Sequence, residues 1–144
     1  MSPESIFSAC SSIALFGWII LIFLPFWSGA DKFIIGIIIV LFSIVYTWLL
    51  ITAFSPSDIS KYNSLAGVKD LFANDYMLTA GWVHYLAFDL LAGVFIKKNS
   101  LKYNLHHLLI VPCLFCTFMF GPAGFLLYFI IRTLKTRKYF ASIV

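Results

Sequence analysis

Charge is scarce in this chain. Its 144 residues include ten Lys and Arg and six Asp and Glu, 11% in all, where a soluble domain carries about a quarter. So few charges cannot cover a water-facing surface, which excludes an ordinary soluble domain and makes lipid the expected solvent. The basic residues sit singly near the ends of apolar runs, where they anchor helix ends to headgroups. No basic patch alternates with exposed aromatics, so no nucleic-acid partner is expected. Cysteine is also sparse. Cys10, Cys113 and Cys116 lie in apolar stretches, so no disulfide framework is indicated. The C-x-x-C at Cys113 and Cys116 would need thiolates for redox or metal work. Hydrocarbon disfavours thiolates, and packing is the expected role. No internal repeat or low-complexity linker is found.

What is present is apolar, at 62%, and aromatic, at 19%. Charge-free runs parse the chain: Ser5 to Ala30, Phe33 to Ser57 and Leu108 to Ile131, with Tyr76 to Ile96 broken only by Asp89. At roughly 20 residues per span, these runs predict helices at about 6–27, 33–54, 76–96 and 108–131. The expected fold is all-α: a four-helix transmembrane bundle forming a single multi-pass membrane domain over 1–144. A cleaved signal is disfavoured because the first run is too long and is preceded by Glu4 with no Lys or Arg. The missing Arg- and Ser-rich transit segment favours a bacterial inner membrane. The loop from Ser55 to Asp75 is long and polar, and Leu65 to Phe72 should form a short surface helix. With four spans, both termini share a side with Lys61, Lys69, Arg132, Lys135, Arg137 and Lys138. Lys32, Lys97, Lys98 and Lys102 then lie opposite, and the positive-inside rule puts both termini in the cytoplasm.

The stretch GWVHYLAFDLLAG, Gly81 to Gly93, places two titratable groups inside a span. An acid at mid-membrane costs roughly 2.5–3.5 kcal/mol on insertion scales and marks a functional site by default. Asp89 lies about 4.5 Å past the middle of its span, and His84 about 3 Å before it. The nearest cation in sequence, Lys97, is roughly 12 Å along the axis, and Arg132 should lie at the far end from Lys97. Hydrocarbon favours the neutral form of both groups. That leaves an acid able to give a proton and an imidazole able to take one. The alternative is a hydrogen-bonding role between helices. On one straight helix the two are about 140° apart. Trp82, Tyr85, Asp89 and Gly93 make one stripe, and His84 and Phe88 another. From the fourth run, Phe120, Gly121, Pro122 and Gly124 reach similar depth. There Pro122 frees a carbonyl and the glycines admit a neighbouring backbone or a flat ligand. Tyr46, Ser43 and Thr47 arrive from the second run, and Ser11 and Ser12 from the first. His106 and His107 are about 16 Å from the level of Asp89, so no metal site is expected.

These residues carry a resemblance. LAGVKDLF, GWVHYLAFDLLAG, PCLFCTFMFGPAGFLLY and Arg132 resemble the abscisic-acid-deficient-four family, four-helix membrane proteins linked in plants to neoxanthin formation. The resemblance covers Leu65 to Arg132, about half the chain; the first two helices are similar only in being apolar. It implies carotenoid metabolism and an isomerisation that opens an epoxide, without redox change or cofactor. Asp89 as acid, His84 as base and Tyr85 beside them would form the catalytic set. Trp82, Tyr46, Phe120, Gly121, Pro122 and Gly124 would bind the carotenoid or another apolar isoprenoid. The other reading is a non-catalytic carotenoid or lipid binder, or an accessory subunit. Membrane lipid, a second copy, or a carotenoid enzyme would be its partners. A small proton-coupled transporter is disfavoured, because few polar residues are available for a continuous aqueous path.

Overall fold

The computed structural model describes residues 2–25, 27–137 and 139–140. Phe26, inside the first expected span, and Lys138, in the charge count, lie outside these. Helix α1 (Pro3–Phe23) starts at a Ser2 cap that accepts the Ser5 N–H at 3.3 Å, with Pro3 in the first turn. Helix α2 (Ala30–Ala53) follows a tight connection and contains a π-helical stretch, Ile34–Ile39. Along α2 the Ser43 and Thr47 hydroxyls donate to Ile39 and Ser43 carbonyls at 2.8 and 2.7 Å. Both spend their proton within their own helix.

The second loop is ordered. A 3-10 segment, Pro56–Asn63, leads into α3 (Leu65–Leu71), the surface helix expected from the sequence. Lys61 ties the two together, 3.0 Å from Asp58 and 2.7 Å from Asp70. Gly67 packs so closely on the Lys61 carbonyl that a Cβ there would overlap it.

Helix α4 (Asp75–Lys102) begins at an Asn74 cap and runs 28 residues. It passes the expected end at residue 96 because Lys97, Asn99 and Ser100 are buried against neighbouring elements. Polar composition predicts a loop there, and tertiary packing overrides it. The core lies between α1 and α4. Ile6, Cys10, Ala14, Trp18 and Leu21 recur at helical spacing on α1; Ala80, Val83, Ala87, Leu90 and Val94 face them from α4. Small residues set the approach: a Cβ on Gly93 would meet Trp18 at 2.8 Å, and one on Gly17 would meet Leu90 at 3.0 Å.

Among the described residues three helices, α1, α2 and α4, are long and apolar enough to cross a membrane. The fourth expected span, 108–131, is instead two helices, α5 (His107–Phe120) and α6 (Pro122–Thr136), which fold back on each other at Gly121. Gly124 packs onto the Thr117 backbone and the Cys113 carbonyl. In one continuous helix Gly124 and Thr117 would be about 10 Å apart. At its far end α6 returns to the level where α5 began: the Tyr128 hydroxyl and Arg132 Nη1 both donate to Asn99 Oδ1, at 2.7 and 3.3 Å.

This hairpin overturns the expected topology. Phe7 of α1 stacks on Trp82 near the start of α4, with ring centroids 5.0 Å apart. Arg132 lies beside Asn99 near the end of α4. The N-terminal end of α1 and the C-terminal end of α6 therefore sit at opposite ends of the bundle, about 26 Å apart along α4 by helical rise. Arg132 is at the same end as Lys97, where the sequence placed it at the other. A charge-free run gives the length of apolar chain, not the direction it takes after a glycine.

Candidate functional site

Asp89 sits at the middle of α4 and is 8% exposed. Its neighbour across the bundle is the turn of the hairpin. A Cβ on Gly121 would lie 2.7 Å from Asp89 Oδ1 and 3.2 Å from Oδ2. Gly121 has φ +48° and ψ −102°, a conformation open to glycine but strained for other residues. Asp89 Oδ2 is buried without a hydrogen-bond partner. Pro122 is the first residue of α6, where its missing N–H costs nothing. It starts a helix, so it does not free a carbonyl inside one as the sequence suggested.

Tyr85, one turn before Asp89, interacts with that carboxyl and donates its hydroxyl to the Met119 carbonyl at 3.4 Å. Trp82 stacks on Tyr85 at 5.4 Å and donates its indole N–H to Ser11 Oγ at 2.9 Å. Asp89, Tyr85, Trp82 and Gly121 thus form one continuous group. His84 does not join it. It is exposed, with its ring tilted against Phe88 at 4.6 Å and against Tyr46 at 5.6 Å. The angular separation of about 140° is kept, and the two side chains have different neighbours. Phe120 is 66% exposed and Pro122 is exposed, both at the rim of the turn. Gly124 faces α5 rather than a ligand.

A second polar group escaped the sequence reading. Arg132 is 1% exposed, with its guanidinium over the Phe129 ring at 4.3 Å and the Tyr103 ring at 5.6 Å. Besides Asn99, it donates from Nη2 to the Tyr139 carbonyl at 2.7 Å. Among the described residues no carboxylate pairs with it; carbonyl oxygens and aromatic faces hold the charge. The sequence marked Arg132 through the resemblance, and its four-residue spacing from Tyr128 puts both on one face; neither pointed to Asn99.

A family model described as ABA DEFICIENT 4-like matches residues 5–128. The chain belongs to that family. The match extends through α1 and α2, beyond the half of the chain that carries the resemblance. No curated protein and no solved structure matches. Within this ABA DEFICIENT 4-like chain, no group of three or more His, Cys, Asp or Glu capable of holding a metal occurs among the described residues.

Proposed function

We propose that this is a multi-pass membrane protein of carotenoid metabolism, acting on an elongated apolar isoprenoid beside α4 with Asp89 as proton donor. The observation that carries this reading is the Asp89 carboxyl, buried at mid-helix with one oxygen unpaired against the Gly121 turn. Membership of the ABA DEFICIENT 4-like family supports the carotenoid assignment. The surface around the bundle is apolar enough for lipid, with Phe23, Ile51 and Leu134 each more than 70% exposed. In this reading α1, α2 and α4 span a bacterial inner membrane. The α5–α6 hairpin enters from one side and leaves by the same side, its irregular turn shielded by α4.

The reaction class is an intramolecular rearrangement. The Asp89 proton goes to an epoxide oxygen and the carbon–oxygen bond breaks. A proton then leaves the adjacent chain carbon as the double bonds shift to an allene. Nothing is oxidised or reduced overall, so the step needs no cofactor. The carboxylate that Asp89 becomes is itself the nearest acceptor for the departing proton, since His84 faces another part of the helix. Tyr85 steadies the carboxyl. Trp82 and Phe120 offer aromatic faces to the polyene, and opening at the Gly121 turn gives the oxygenated end access to Asp89.

A second reading, a carotenoid or lipid binder that assists a carotenoid enzyme or a second copy of the chain, is favoured by the separation of His84 from Asp89. Expression in a host that makes epoxy-carotenoids separates the two. Catalysis predicts a new isomeric product with the native chain, its loss with Asp89→Asn at unchanged protein level, and retention of most of it with His84→Ala. Full product from a stable Asp89→Asn protein would eliminate Asp89 as the acid. Pigment that co-purifies unchanged would support the binder.

A further inference from the structure

At the end of the bundle where α4 stops, a cleft of about 510 Å³ opens between α4, the start of α5 and the connection after α1. Lys97, His106 and His107 supply its polar wall, and Leu101, Leu105 and Leu108 its apolar one. Lys97 is 6% exposed, and its ammonium donates to the Leu24 carbonyl at 3.3 Å. An ammonium has three N–H donors, so this carbonyl leaves capacity for an anion. The nearby acid Asp31 is already engaged by Lys98 at 2.9 Å, and no carboxylate lines the cleft.

One further feature favours an anion there. Helix α5 begins at the cleft and turns the positive end of its dipole toward it, although His106 already takes the Leu108 and Leu109 N–H groups. His107 Nε2 lies 2.9 Å from the Ile22 carbonyl, which fixes the ring at the wall. His106 Nδ1 accepts the Leu108 N–H at 3.3 Å, so the same residue caps α5 and lines the cleft. A buried cation, a helix N-terminus and leucines together suit an amphiphile whose head is anionic and whose tail is apolar. We propose that this cleft holds the phosphate headgroup of an anionic membrane lipid, with its acyl chain along the leucine wall. The proposal does not depend on the reaction at Asp89, which lies about 12 Å from the level of Lys97 along α4.

The test is native mass spectrometry of the full chain in neutral detergent. It is titrated separately with dioleoyl phosphatidylglycerol, dioleoyl phosphatidylcholine and soluble glycerol 3-phosphate. Phosphatidylglycerol should remain bound under activation that strips phosphatidylcholine, and glycerol 3-phosphate should bind far more weakly than the lipid. Lys97→Gln should weaken phosphatidylglycerol retention about tenfold or more, the scale of one hydrogen bond to a charged group. His106→Asp keeps a competent helix cap while adding a negative charge at the mouth. It should therefore reduce retention with thermal stability intact, even if Lys97→Gln folds poorly. Equal retention of the two lipids would overturn the proposal. So would a stable His106→Asp protein that keeps phosphatidylglycerol like the native chain, or glycerol 3-phosphate binding as tightly as the lipid.

Discussion

Gly121 decides what surrounds Asp89. Its φ of +48° with ψ of −102° lets α5 end and α6 begin without a linker, and its missing Cβ leaves room for the carboxyl. Gly121→Ala therefore meets two obstacles, backbone strain and overlap with Asp89 Oδ1. Strain of this kind costs about 1–3 kcal/mol. We expect a lower thermal midpoint in detergent by at least several degrees, partly recovered in the double variant Gly121→Ala with Asp89→Ala, which removes the overlap but not the strain. Equal midpoints for the native chain and Gly121→Ala would show that the turn is not under this constraint. At this scale the sequence was informative about Asp89 because an acid amid apolar residues is rare enough to mark itself. Pairing it with His84 needed knowledge of which face each neighbour covers, which one helix cannot supply. The meeting of Asn99 with Arg132 was illegible for a related reason. Polar residues near a helix end look like solvated loop until another helix returns to cover them.

The secondary elements differ in how plainly the sequence marks them. Spans α1 and α2 follow from unbroken apolar runs, since backbone in hydrocarbon must satisfy its own hydrogen bonds. The hairpin did not follow, because α5 and α6 are each apolar and together have the length of a span. Only Gly121 before Pro122 separates them, a pairing that equally suits a kink. The surface helix α3 was legible from its mix of apolar and charged residues, and its tether explains why it is ordered. The Ser55 N–H bonded to Asp58, followed by Lys61, holds that carboxyl below its usual range. Asp70 and then Asp58 hold the Lys61 ammonium above its usual value. Ordering from the lowered Asp58 is present above its free-chain value, about 3.9, and is lost as pH falls through its lower folded value. Ordering from the raised Lys61 is present below about 10.4 and is lost as pH rises through its higher folded value. Amide protection factors over residues 65–71 should therefore be flat from about pH 4 to 10 and fall on both sides. Lys61→Met should lower protection across the plateau. Protection in that variant matching the native chain would remove Lys61 as the tether.

For the whole molecule, the hairpin changes which charges share a side. Four full spans would divide the basic residues six against four and put both termini together. With α6 returning to the end where α5 starts, Lys32, Lys97, Lys98, Lys102, Arg132, Lys135 and Arg137 collect at one end. Lys61 and Lys69 remain at the other. Among the described residues this is seven against two, where the four-span division of the same nine is five against four, and short loops rich in Lys and Arg stay in the cytoplasm. The expected orientation therefore has the C-terminal end of α6 in the cytoplasm and the N-terminal end of α1, with the ordered second loop, outside. The cleft beside Lys97 then opens to the cytoplasmic leaflet, where anionic headgroups set a negative surface potential. A C-terminal green fluorescent fusion should fluoresce in a bacterial host. An N-terminal epitope should be cleaved by protease added to intact spheroplasts, and a cysteine replacing Ser60 should react with an impermeant maleimide there. An N-terminal epitope protected in spheroplasts alongside a fluorescent C-terminal fusion would place both termini in the cytoplasm. That outcome would require α5 and α6 to cross the membrane as a single span, and the hairpin would be refuted.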